Sequence, residues 1–108
     1  MHISFSPVRS DARLALSVDG DTLTINGEAF DFSGLPEGDT LPQTAVTCDW
    51  LVSDVERIDG EVSLTLILPH GPAAPAETLF PAPVSAPDGP VPLPPYGEAP
   101  IIKEEPDA

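Results

Sequence analysis

Three side chains in this 108-residue sequence are of the types that do nucleophile or base chemistry: Cys48, His2 and His70. A thiol nucleophile needs a base within hydrogen-bond reach, and nothing in the spacing of these three predicts such a pair. Two histidines and one cysteine also fall short of a structural zinc site. Asp19, Asp21, Glu28 and Asp31 gather oxygen ligands of the kind calcium takes. Leu23, however, stands where an EF-hand loop would place its third ligand, and no glutamate closes the loop at the required spacing. Turn chemistry accounts for these acids without a metal. Pro92 and Pro95 have the spacing read by SH3 domains, and Pro94-Pro95-Tyr96 approaches a WW-domain ligand. The latter form needs one more residue before the tyrosine, and no arginine flanks the run to orient it. Trp50 and Tyr96 could stack on sugar or proline rings, although a single tryptophan on a strand more often belongs to a core. The expectation is a protein with no catalytic residue, no metal and no cofactor, and so not an enzyme.

The elements that must position these residues are strands. Residues 13–32 read as three antiparallel strands joined at Asp19-Gly20 and Asn26-Gly27, both two-residue hairpin signals that tolerate positive φ. The first turn predicts Leu16 opposite Leu23 and Leu14 opposite Ile25; the second predicts Leu23 opposite Phe30. One face then collects Leu14, Leu16, Val18, Leu23, Ile25, Phe30 and Phe32, and the other Ala15, Ser17, Thr22, Thr24, Ala29 and Asp31. That alternation is the signature of a half-buried sheet. Ile3 and Phe5 alternate in a short first strand that Pro7 is expected to end. Residues 33–43 are dense in breakers and predict a loop in which Leu35 and Leu41 tuck back over one end of the core. Residues 44–58 and 60–68 form a second pair of runs about Asp59-Gly60. This turn predicts Arg57 opposite Val62, Val55 opposite Leu64, Ser53 opposite Leu66 and Leu51 opposite Leu68. A helical reading of residues 48–56 competes, since short apolar runs do not separate the two. Cys48 alternates with Val46 and Trp50, as a small buried residue would.

Four basic against eighteen acidic residues leave a formal charge of -14. Recognition of nucleic acid or of an anionic membrane needs clustered Lys and Arg, so neither partner is expected. An acidic surface favours solubility and can meet a basic partner. The one cysteine allows no internal disulfide and so points to no oxidising compartment. No run approaches the roughly 20 apolar residues of a membrane span, and the first residues lack the basic flank and apolar stretch of a signal peptide. The chain reads as cytoplasmic in the producing cell, or assembled there into something larger such as a virion.

From Pro69 onward the composition changes: twelve of the fifteen prolines fall in the last forty residues. Such a segment is not expected to form ordinary strands or helices. The domain reading is therefore a small β domain over residues 1–68 and an extended proline-rich tail over residues 69–108. Leu79, Phe80, Val84, Val91, Leu93, Tyr96, Ile101 and Ile102 are spaced through that tail, whereas disordered tails are poor in such residues. The tail is expected to dock on its own sheet or on a neighbouring subunit, with Leu79, Phe80, Leu93 and Tyr96 as the partner-binding anchors. The fold class is all-β: a small antiparallel meander closing into a sandwich or partial barrel, followed by the extended tail.

His2-Ile3-Ser4-Phe5-Ser6-Pro7-Val8-Arg9, Leu14-Ala15-Leu16-Ser17 and the stretch from Ile25-Asn26-Gly27 to Phe32-Ser33 resemble a group of small acidic proteins encoded in phage and prophage tail regions of bacteria. Leu66-Ile67-Leu68-Pro69-His70-Gly71 and Pro90-Val91-Pro92-Leu93-Pro94-Pro95-Tyr96 are similar to theirs too. The resemblance implies a setting and no residue-level role: a non-enzymatic structural or accessory protein that contacts another tail protein or itself. A tail-fibre assembly chaperone and a small carbohydrate- or peptide-binding module are the alternatives.

Overall fold

The computed structural model describes residues 1–97. Its elements are β1 (His2–Arg9), β2 (Leu16–Asp19), β3 (Thr22–Ile25), β4 (Glu28–Asp31), β5 (Thr40–Leu41), β6 (Val55–Ile58), β7 (Glu61–His70), the single-turn helix α1 (Ala76–Leu79), β8 (Val84–Ser85) and β9 (Gly89–Pro90), with a 3₁₀ turn at Gln43–Ala45. Two sheets result, β5-β6-β7-β1-β8 and β4-β3-β2-β9. The chain is all-β, as its alternation predicts. One core draws on both sheets: Ile3, Phe5, Leu51, Val55, Val62, Leu64, Leu66 and Leu68 meet Leu16, Val18, Leu23, Ile25 and Phe32. Leu14, Phe30, Leu35 and Leu41 pack partly buried against it.

The predicted turns are present, with one shift. Asn26 and Gly27 both have positive φ, 50° and 88°, and Leu23 lies opposite Phe30 as expected. The Asn26 side chain reinforces the turn by accepting from the Ala15 N–H and donating to the Arg13 carbonyl. A β-branched residue strongly disfavours this backbone, so Gly27→Val is expected to lower stability by roughly 1–3 kcal/mol. A urea titration that gives no change would exclude this turn type.

At the first turn the loop is Gly20-Asp21 and not Asp19-Gly20. Asp19 pairs with Thr22, so Leu16 faces Ile25 and Val18 faces Leu23. In Asp19-Gly20-Asp21 the Gly-Asp reading prevails, with Gly20 at φ 62° as the first loop residue, the position where a type II′ turn requires glycine. A shift of two in register leaves every side chain on its predicted face.

The Asp59-Gly60 turn also forms as predicted, with Arg57 opposite Val62. The Glu37 carboxylate accepts from both its amides, at 2.8 and 2.6 Å. The long strand expected over residues 44–58 does not persist, and residues 48–56 are not helical either. Only β6 is regular, and Leu51 bridges Leu66 instead of Leu68. Two extra residues bulge out between them. There the Ser53 hydroxyl accepts from the Thr65 N–H at 2.8 Å, replacing a ladder carbonyl.

Pro7 does not end the first strand. β1 runs on to Arg9, parallel to β7 along its whole length. Odd-numbered residues of β1 direct their backbone polar groups to the β8 side, as the Ala86 N–H to Met1 carbonyl bond and the Ile3–Val84 pairing show. The N–H that Pro7 lacks would point past the end of β8, so the β1–β7 ladder loses nothing.

Residues after Pro69 do form ordinary elements, contrary to expectation. β8 joins the edge of one sheet and β9 the edge of the other. The prolines fall where they remove no bond: Pro75 immediately precedes α1, and Pro90 stands opposite Ser17 between the residues that bond β2, its nitrogen facing outward. Ile101 and Ile102 lie outside the described residues.

Arg57 ties the two sheets together. Its guanidinium reaches both carboxylate oxygens of Asp21, at 2.9 and 3.4 Å, and donates to the carbonyls of Phe32, Leu35 and Gly60. One side chain on β6 thus holds the β2–β3 turn, the loop after β4 and the β6–β7 turn.

Candidate functional site

The residues singled out for nucleophile chemistry are not joined. Cys48 is half-buried in the loop before Leu51, His2 opens β1, and His70 closes β7 with Nδ1 against the Gly71 carbonyl. Among the described residues no hydrogen bond links Cys48 to either histidine, and no group of three or more His, Cys, Asp or Glu side chains is arranged to hold a metal ion. Of the four acids considered for calcium, Asp21 pairs with Arg57 and Asp31 accepts from the Ser33 N–H. Hydrogen bonds from the Ser33 backbone and then its hydroxyl hold the Asp31 carboxyl below the usual carboxylate range, so it is ionised at neutral pH. Trp50 packs partly buried against the core.

The segment from Gly71 to Gly97 is an arm fastened at several points. Val91 and Ala86 are buried in the core. The hydroxyl of Thr78, itself fully buried, donates to the Pro95 carbonyl at 2.5 Å. The Tyr96 hydroxyl donates to the Ser10 carbonyl, and the Arg13 guanidinium lies 3.4 Å from the centre of the Tyr96 ring, a cation–π contact. Gly71 donates to the Tyr96 carbonyl at 2.7 Å, and Ala73 to that of Gly97 at 2.9 Å. This approach needs the glycine: a Cβ on Gly71 would overlap the Gly97 carbonyl and the Tyr96 ring.

The four residues expected to bind a partner therefore divide. Leu93 is partly buried on the core and Tyr96 makes contacts within its own chain. Leu79 and Phe80 stay out, 39% and 82% exposed, at the end of α1. Phe80 is the most exposed large apolar side chain described, and it precedes Pro81 and Pro83.

Depressions on the surface include the following two. A polar trough of about 300 Å³ runs over the outer face of β1, β6 and β7, lined by His2, Ser4, Asp54, Glu56, Ser63 and Thr65 among others. A groove of about 330 Å³ lies between β4 and the segment from Leu41 to Thr47. The sequence alone does not reveal that groove, because its two walls are joined only by how the loop after β4 folds back.

The architecture is a two-sheet β protein with an arm that adds an edge strand to each sheet. No protein-family model, no curated protein and no solved structure matches the chain. Among the described residues, no helix is long and apolar enough to cross a membrane.

Proposed function

We propose that this protein is a non-enzymatic structural or accessory component of a phage or prophage tail module and works through protein–protein contacts. The observation that carries the reading is Phe80, 82% exposed beside half-exposed Leu79 on an arm fixed on both sides of it. Burying such a side chain in a partner contributes roughly 1.5–3 kcal/mol. The neighbouring prolines are already stiff, so little entropy opposes docking. The resemblance of residues 2–9, 25–33 and 90–96 to small acidic tail-region proteins supplies the setting. The partner is another tail protein or a second copy of this chain; on another protein, the charge of -14 favours a basic surface.

Mass spectrometry of purified particles, alongside assembly intermediates, tests this reading. Presence in mature particles is the expected result. Presence in intermediates alone would mean an assembly chaperone, and absence from both would remove the tail setting. Phe80→Ser is expected to abolish incorporation while leaving the melting temperature within a few degrees, because the side chain supports little of its own domain.

A further inference from the structure

Two sheets present four edges, and three are blunted. β5, β8 and β9 are two residues long, and prolines stand beside or within them: Pro42 after β5, Pro83 before β8 and Pro90 in β9. Short, proline-bounded edges are a common protection against pairing with other chains. The fourth edge, β4, is four residues long and has no proline. Its even-numbered residues face β3, since Phe32 donates to Asp21 and Phe30 pairs with Leu23. The backbone N–H and C=O of Ala29 and Asp31 consequently point away from the sheet, and among the described residues no strand pairs with them.

Beside that edge lies a groove. The groove beside β4 has Phe30, Phe32, Leu41 and Val46 in its lining. A second hollow of about 320 Å³ shares Asp31, Phe32 and Leu41 with it and continues to Leu35 and Pro36. The rim is acidic, with Glu28 and Asp31 exposed on β4.

We propose that the outer edge of β4 takes up an extended, basic segment of a partner protein as an added antiparallel strand. The inference rests on the protein-contact reading above and names a second surface for it. Charge decides the occupant. A second copy would bring an edge carrying the same two acids on a chain of the same charge, -14, and the two would repel. A basic strand meets both acids with opposite charge. Register sets its pattern: a basic residue opposite Asp31, an apolar one opposite Phe30 where it reaches the groove, any residue opposite Ala29, and a second basic residue opposite Glu28. Main-chain bonds to Ala29 and Asp31 supply affinity and the side chains supply choice, as in other strand-addition complexes.

The probe is a blocked hexapeptide, Thr-Lys-Val-Thr-Lys-Thr, added to the full-length protein; the control has Glu in place of both Lys. Amide exchange followed by NMR is expected to slow at least tenfold at Ala29 and Asp31 with the Lys peptide and not with the Glu peptide. Ala29→Pro removes an outward donor at no cost to the β3 ladder, and it is expected to weaken binding at least tenfold. The double variant Glu28→Lys, Asp31→Lys keeps every backbone group and should reverse the preference to the Glu peptide, so the test does not depend on how well the proline variant folds. Unprotected β4 amides, or equal binding of the two peptides, would overturn the proposal. Perturbations confined to Leu79 and Phe80 would overturn it while leaving the arm as the contact surface. The Phe80→Ser experiment judges that surface separately, so the two failures are distinguishable.

Discussion

Ending the chain at Pro72 is expected to lower the melting temperature by roughly 15–30 °C, at the usual few degrees per kcal/mol for a domain of this size. The arm is part of the fold. Its removal uncovers the core where Val91 and Ala86 now sit, and burying a valine is worth about 1.5–3 kcal/mol. It also deletes the bonds from Val91 N–H to the Leu16 carbonyl, from Ala86 N–H to the Met1 carbonyl and from Gly20 N–H to the Asp88 carboxylate, each worth about 1 kcal/mol net. Ordering the arm costs entropy, which its prolines reduce in advance. The net loss is roughly 3–5 kcal/mol, a large part of the stability of a small domain. Thermal melts followed by circular dichroism measure it. A truncated chain that melts within a few degrees of the full-length protein would mean that β8 and β9 add no stability.

Arg57→Ala is expected to cost roughly 2–3 kcal/mol, less than a fully buried ion pair because this one is only partly buried. The arginine side chain is 13% exposed, and its loss leaves the Asp21 carboxylate and the carbonyls of Phe32, Leu35 and Gly60 without this donor. Asp21 is 36% exposed, so water replaces part of what it loses. Arg57→Lys should recover less than half of the deficit, because a single ammonium cannot span a carboxylate and three carbonyls that a planar fork reaches together. Urea unfolding of both variants decides the matter, and a loss below about 1 kcal/mol for the alanine variant would reduce Arg57 to an ordinary surface residue. The loop from Phe32 to Leu41 also lines the groove beside β4, so Arg57→Ala should weaken the Lys peptide as well.

The positions where expectation and structure part share a feature. Pro7, Pro69 and Pro90 all lie in strands, because each strand offers one side on which a missing N–H removes no bond. A single sequence gives the proline but not the neighbour, so the side facing the ladder is unknown until the sheets are assembled. The bulge between Leu51 and Val55 is of the same kind: the Ser53 hydroxyl stands in for a carbonyl only once β7 lies beside it. For the expected anchors, hydrophobicity alone could not separate Leu93, which meets the core, from Phe80, which does not.

The sequence by itself determined what short-range forces decide. Alternation of period two assigned Leu16, Val18, Leu23, Ile25, Val62, Leu64, Leu66 and Leu68 to the buried face, and Asn26-Gly27 and Asp59-Gly60 placed two hairpins, since left-handed backbone at adjacent residues is tolerated by few other pairs. Even the mistaken first register kept every face, because a two-residue slip preserves side-chain direction. Only the tertiary structure decided that β1 lies parallel to β7, about sixty positions away in the chain; that the arm closes one edge of each sheet; and that Arg57 meets Asp21. The open edge of β4 and its groove follow from those choices. Such pairings depend on which surfaces fit once the core has formed, and no local preference of the residues involved encodes them.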